Sequence, residues 1–186
     1  FKFRKNGSPT TCNVHSKNFN TSFSFELDAV AKSDQQWENY ILGVLHEIQH
    51  LSDKLQGFDC EFESDIPVGS GVSSSAALEC GIAFGLNELF KLNISKQTIV
   101  ELSQRAEHNY VGTKCGIMDQ FASVMSKKDH VILLDCQSLD YQYVPIKIEP
   151  FKILLLNTNV SHNLASGEYN FRRAQCEEGV KIIKQK

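Results

Sequence analysis

The sequence has no apolar run approaching the roughly 20 residues that a membrane span requires. It has no block of like charge either: 19 basic and 22 acidic side chains are interspersed and leave a formal charge of −3. Neither nucleic acid nor an anionic membrane is therefore expected as a partner. There is no C-x-x-C pair among Cys12, Cys60, Cys80, Cys115, Cys136 and Cys176, which argues against a zinc ribbon or a thioredoxin-type site. These six are expected to be reduced thiols in a cytoplasmic protein. Internal repeats and low-complexity segments are missing as well, and the N-x-S/T triplets at Asn20 and Asn93 are read as fortuitous.

What is present is an ordinary globular composition, 41% hydrophobic over 186 residues, long enough for a sizeable core. The chain opens on a strand-like "FKF" and stops inside a helical pattern at "KIIKQK", so a piece of something longer is expected. Phe23, Phe25 and Leu27 alternate on one face of a strand, as do Phe58, Cys60 and Phe62. Between them, Trp37, Ile41, Val44, Ile48, Leu51 and Leu55 recur at helical spacing up to Gly57. From Ser74 to Phe90 the pattern is apolar nearly all round, which predicts a central helix. A further helix is expected after an N-cap at Ser95, with Ile99, Leu102 and Ala106 inward. "MDQFASVM" predicts a short helix, "HVILLDC" and "YQYVPIKI" paired strands, and "FKILLLNTNV" a buried strand. A last helix is expected from Ser166, with Tyr169, Arg173, Cys176 and Val180 along one side. Strands and helices mix without strict alternation, so the class is α+β.

The stretch "PVGSGVSSSAALE", residues 67–79, is the main anomaly. A flexible Gly/Ser linker leads into something exposed, whereas this one leads into the most apolar helix. Gly69 and Gly71 lack Cβ atoms, and Ser73, Ser74 and Ser75 add hydroxyls at a positive helix end. The physics suits an anion, most simply phosphate, with a plain capped helix start as the alternative. No lysine makes it a Walker A loop, and Ser74 stands where a dinucleotide fingerprint needs its third glycine. A lysine-free loop that holds a triphosphate calls for Mg²⁺, carried by a hydroxyl and a carboxylate.

Two more stretches, "AEHNYVGTKCGIMDQF" (106–121) and "NTNVSHNLASGEYNFRRAQCEE" (157–178), join that loop and "WENYILGVL" (37–45) in one resemblance. Together, over essentially the whole chain and in the same order, they resemble the galactokinases, a branch of the GHMP small-molecule kinases. The resemblance implies ATP and Mg²⁺ as cofactors and phosphorylation of galactose at its anomeric hydroxyl. It implies that residues 69–75 wrap ATP (Gly69, Gly71, Ser73, Ser74, Ser75) and that Trp37 and Tyr40 line the adenine pocket. Ser75 and Glu107 would bind Mg²⁺, Asp119 would be the catalytic carboxylate, and Gly116 and Tyr169 would contact the sugar together with Asp119. Taken singly, Asp119 reads as a helix N-cap, Glu107 as a solvated charge and Trp37 as core. His108 and His162 lie in the matched stretches without an evident chemical task.

The same resemblance implies a ribosomal-protein-S5-domain-2-like N-terminal domain over residues 1–149 and the beginning of the family's C-terminal domain over 150–186. The family's Gly-Glu-His-x-Asp segment with its arginine, and its glycine-rich C-terminal motif, have no match here. A fragment truncated at both ends, inactive alone, is expected, with oligomeric state left open. N-acetylgalactosamine kinase and a non-catalytic galactose and ATP sensor are the alternatives. Intact Ser75-Ala76-Ala77 and Asp119 speak for an enzyme over a sensor.

Overall fold

The computed structural model describes residues 1–156 and 168–185. Four short strands form one sheet: β1 (Lys2–Lys5), β2 (Thr11–Ser16), β3 (Thr21–Glu26) and β4 (Phe58–Phe62), in the order β1-β4-β2-β3. β4 runs antiparallel to β1 and parallel to β2, so the connection from β2 back to β4 passes through β3 and the helix α1 (Gln36–Gln49). The register sets Phe3 opposite Cys60, Cys60 opposite Val14 and Val14 opposite Phe23. One apolar row therefore crosses the whole sheet on the face turned to the helices, because side chains alternate along each strand. The opposite face is polar. There Asp59 accepts from Arg4, Asn6 and Asn13.

Helices α1, α2 (Ser74–Phe90) and α3 (Lys96–Ala106) cover the apolar face. Ile41, Val44, Leu45 and Ile48 of α1, Ile82, Ala83 and Leu86 of α2, and Ile99 and Leu102 of α3 are fully or almost fully buried. Burial of each such side chain contributes on the order of 1.5–3 kcal/mol relative to exposure. α2 touches α1, α3, a fourth helix and β1, which is the central position its all-round apolar pattern demands. Phe1 and Phe3 lie flat against Gly81 and Gly85 of α2, where a Cβ would come within 2.3 and 2.1 Å of the rings. Ser95 caps α3 by accepting from the Thr98 amide at 3.1 Å.

After α3 the chain makes a π-helical turn, Glu107–Val111, closed by Gly112 at φ +87°. α4 (Met118–Met125) then packs on α2 and α3. Phe121 and Ile117 of this region meet Ile132 and Leu134 of a hairpin, β5 (His130–Leu134) with β6 (Tyr141–Pro145). The last helix is α5 (Glu168–Lys184).

The α+β reading stands, and the structure differs from expectation in detail. α1 ends at Gln49 rather than running to Leu55: Leu51 and Ser52 both turn back to the Ile48 carbonyl, and Leu51 is half exposed. β2, with Cys12, Val14 and Ser16 inward, is not among the expected strands. The buried strand expected from Phe151 is not formed over 151–156, whose Leu154 and Leu156 are exposed. A strand needs a neighbour for its backbone bonds, and the described residues supply none there. The start of the last helix at Ser166, and His162, lie outside the described residues.

Candidate functional site

The loop before α2 turns through two left-handed glycines, Gly69 at φ +72° and Gly71 at +77°, and a left-handed Ser73 at +61°. Glycine adopts that region without strain, and serine does so at a cost. Ser73 is the residue preceding α2, its side chain makes no capping bond, and the Ala77 amide reaches its carbonyl. The first turn of α2 is thus left without a side-chain cap, so its amides and the positive end of its dipole remain available to an anion.

Beside this turn lies a cavity of about 520 Å³. Phe19, Trp37, Tyr40, Phe62 and Leu78 form an apolar wall, and Gly69, Ser74 and Ser75 form the polar end. A mostly apolar cleft with a few convergent polar groups is the usual form of a nucleotide-sized site. Trp37 is both wall and packing, since its ring contacts those of Phe19, Phe23 and Phe62. Gly71 and Ser73 shape the loop without belonging to the cavity wall.

Near Ser75 lie two acidic residues, of which Glu107 is buried. Glu107, the first residue of the π turn, is only 2% exposed, which excludes a solvated charge. Its Oε2 accepts from Gln120 Nε2 at 2.8 Å and from the Cys115 thiol at 3.3 Å. Burial raises its pKa; the Cys115 and Gln120 bonds pull it back, the charge of Asp119 raises it and the Ser75 hydroxyl lowers it. Ser75 and Asp119 are thus both near enough to Glu107 to act on its carboxyl. Asp119 is the second residue of α4 and half buried rather than the cap before the helix. Tyr40 links the two parts: it lines the cavity, and burial followed by the charges of Glu107 and Glu79 raises its hydroxyl pKa.

Gly116 sits in the loop between the π turn and α4, with open space where a Cβ would stand. Its amide donates to the Tyr169 hydroxyl, so the two expected sugar contacts adjoin. His108 bonds the Cys115 carbonyl at 2.8 Å, which gives it a structural task in holding this loop.

Sequence reasoning missed Gln120 and Glu79. Both are fully buried, and Gln120 Nε2 also reaches Glu79 Oε2 at 3.2 Å. Burial first, then the charge of Glu107, drives the Glu79 carboxyl well above the ordinary range. Glu79 Oε1 and Gln120 Oε1 are without partners, each a cost of about 1–3 kcal/mol. The available signal was an acidic residue in the middle of an otherwise apolar helix face, one turn after Ser75.

Residues 39–127 match the N-terminal domain of the GHMP kinases. They are a GHMP kinase N-terminal domain. The galactokinase of Thermosipho africanus is 46% identical over 164 residues, which is 88% of this chain and 46% of its own length. That of Thermotoga maritima is 41% identical over 172 residues, 92% of this chain and 48% of its own. The crystal structure of Lactococcus lactis galactokinase complexed with galactose matches with a TM-score of 0.92 at 33% identity, over 98% of this chain and 48% of that one. Mevalonate kinase of Methanococcus jannaschii, at 18% identity and a TM-score of 0.57, shares the fold alone. The chain spans about half the length of the galactokinases it matches. In the GHMP domain, the π turn, α4 and the first turn of α2 carry the acidic residues and hydroxyls described above.

Proposed function

We propose that the protein transfers the γ-phosphoryl group of ATP to the anomeric hydroxyl of galactose, giving galactose 1-phosphate. The observation that carries this reading is the buried Glu107 carboxyl, which feels both Asp119 and Ser75, the latter also lining the polar end of the cavity. ATP would lay its adenine against Trp37 and Tyr40 and its phosphates on the α2 amides, with Gly69, Gly71, Ser73, Ser74 and Ser75 forming the loop around them. Galactose would sit against Gly116, Asp119 and Tyr169. Residues 1–149 would then be most of the nucleotide- and sugar-binding domain, with 150–186 opening the second.

Mg²⁺ suits the donors present. Ser75 offers a hydroxyl and Glu107 a carboxylate, both hard oxygens, and no cluster of three metal-ligating side chains exists among the described residues. Mg²⁺ takes one or two protein oxygens and completes its shell with phosphates and water. Held by Ser75 and Glu107, the ion would supply charge stabilisation for the transferring phosphoryl group. The chain's own part is to hold the reactants and move one proton. Asp119 accepts the proton of the anomeric hydroxyl as that oxygen bonds to the γ-phosphorus and the bond from this phosphorus to the β–γ bridging oxygen breaks, releasing ADP. The α2 amides hold the phosphates in place throughout.

Among the described residues no helix is long and apolar enough to cross a membrane. All six cysteines are free thiols, which supports the cytoplasm as the compartment. The deciding experiment is γ-phosphate transfer from ATP by the full-length protein, with galactose and N-acetylgalactosamine as rival acceptors. Galactose should be preferred, and Asp119→Ala should lose about 100-fold or more in kcat. Equal rates for wild type and Asp119→Ala, or preference for N-acetylgalactosamine, would defeat the proposal.

A further inference from the structure

Two buried side chains, Gln120 and Glu79, have no part in the reaction just described. Gln120 follows Asp119 on α4, and Glu79 lies one turn beyond Ser75 on α2. A primary amide nitrogen carries two hydrogens. Gln120 Nε2 directs them at two carboxyl oxygens, Glu107 Oε2 at 2.8 Å and Glu79 Oε2 at 3.2 Å. The amide's own Oε1 and the second oxygen of Glu79 are then left without partners inside the protein.

Fold stability alone does not explain such an arrangement. Two orphaned acceptors are unfavourable, and apolar side chains of similar volume would remove them. What the arrangement does accomplish is geometric. The hydrogen bonds that Gln120 and Cys115 give to Glu107 both fall on Oε2. Two donors on one oxygen fix the plane of the carboxylate and the direction of Oε1. Glu79 in turn holds the amide by accepting its second hydrogen, and a rotated Gln120 would turn an oxygen toward Glu107 Oε2.

We propose that Gln120 is a positioning residue for the Glu107 carboxylate, with Glu79 as the post that keeps its amide bridging. The inference rests on the reading of Glu107 as a ligand of the nucleotide-bound metal.

Its test uses Mn²⁺ as the probe, titrated into the full-length protein with ADP and followed by the electron paramagnetic resonance of the free ion. Thermal melts run alongside. Gln120→Met should weaken Mn²⁺ binding about 10-fold or more, the usual scale for loss of a group that orients a metal ligand, with a Tm equal to or above that of the wild type. Glu79→Met should weaken it by a smaller factor, about 3-fold, because the direct bond to Glu107 survives. Should Gln120→Met fail to fold, Glu79→Met decides alone. Wild-type Mn²⁺ affinity in the folded variants overturns the proposal. Glu107→Ala separates the two levels: unchanged Mn²⁺ binding there would sink the reading of Glu107 itself. Lost binding in Glu107→Ala with wild-type binding in Gln120→Met and Glu79→Met would sink the positioning role only.

Discussion

The Gly116 amide donates to the Tyr169 hydroxyl across 3.2 Å, and with that bond α5 grips the loop joining Glu107 to Asp119. Asn170 strengthens the grip from the next position. Its Nδ2 donates to the Gly112 carbonyl at 2.7 Å and its Oδ1 accepts from the Lys114 amide at 2.9 Å. Arg173 adds a bond to the Lys114 carbonyl at 3.0 Å. The loop of residues 112–117, between the turn that carries a candidate metal carboxylate and the helix that carries a candidate base, is thus held from outside by three side chains of one helix.

Asn170→Ala tests that grip without touching the Tyr169 hydroxyl. Two hydrogen bonds are lost, worth about 0.5–1.5 kcal/mol each. Hydrogen exchange at the Lys114 amide should speed up by about 10-fold or more. In the full-length protein the KM for galactose should rise several-fold while kcat stays within about 2-fold, the pattern of lost uniform binding. An unchanged exchange rate would mean that the loop holds itself.

Trp37 gives an optical test of the cavity. Its ring is partly buried against Phe19, Phe23 and Phe62 and still lines the cavity wall. ADP binding there should change its emission intensity, and the change should vanish in Trp37→Phe. Because the ring also packs, Trp37→Phe is expected to lower stability by about 1 kcal/mol. Nucleotide binding without any Trp37 signal would remove the ring from the adenine pocket.

Glu79 predicts an uncommon pH dependence. Its carboxyl is raised well above the ordinary 4.5, chiefly by burial and then by the charge of Glu107. Above pH 4.5 the unfolded chain releases this proton while the folded chain keeps it. The folded state then binds more protons, so stability falls as pH rises, by up to about 1.4 kcal/mol per unit, until the folded group ionises. Glu79→Gln should flatten that slope in urea melts taken across the range, with a remainder from Glu107, whose pKa is raised as well. Asp59 works with the opposite sign but in another window: its pKa is lowered to about 2 from 3.8, so its contribution is lost only in strong acid. An identical slope in Glu79→Gln would show that the buried carboxyl is charged in the fold.

Much of this architecture was legible in the residues. α2 begins and ends where its apolar run does, at Ser74 and Phe90, and β4 shows the alternation of Phe58, Cys60 and Phe62 unaltered. The tight turn before α2 was legible because its two glycines precede an apolar helix, and both are left-handed in the structure. The Glu79–Gln120–Glu107 contact was not. Gln120 reaches Glu79 across 41 positions and Glu107 across 13, on three different elements, and no local periodicity encodes it. Tyr169 with Gly116 was equally hidden, since helix and loop are 53 residues apart. Periodicity reports which face of an element is buried, and carries no information about which polar groups meet inside.

Gly43 offers a last test, one of packing that reaches the site. It lies in α1 where that helix crosses the end of α3 and the π turn. A Cβ there would stand 2.9 Å from Tyr110 Cβ, 3.1 Å from Ala106 Cβ and 3.1 Å from the Ala106 carbonyl oxygen. All three atoms are placed by the backbone and cannot swing aside, so the helices must separate. Outside such a contact, glycine to alanine within a helix is stabilising by roughly 1 kcal/mol. Overpacking reverses that sign, and Gly43→Ala is expected to destabilise by about 1–3 kcal/mol in urea melts. The displaced element is the one that begins at Glu107, so the variant should also weaken Mn²⁺ binding in the presence of ADP. Gly112→Ala is the contrasting case: nothing crowds its Cβ, but its φ of +87° imposes backbone strain instead. A Gly43→Ala protein as stable as the wild type would show that α1 and the π turn are not in the tight contact described.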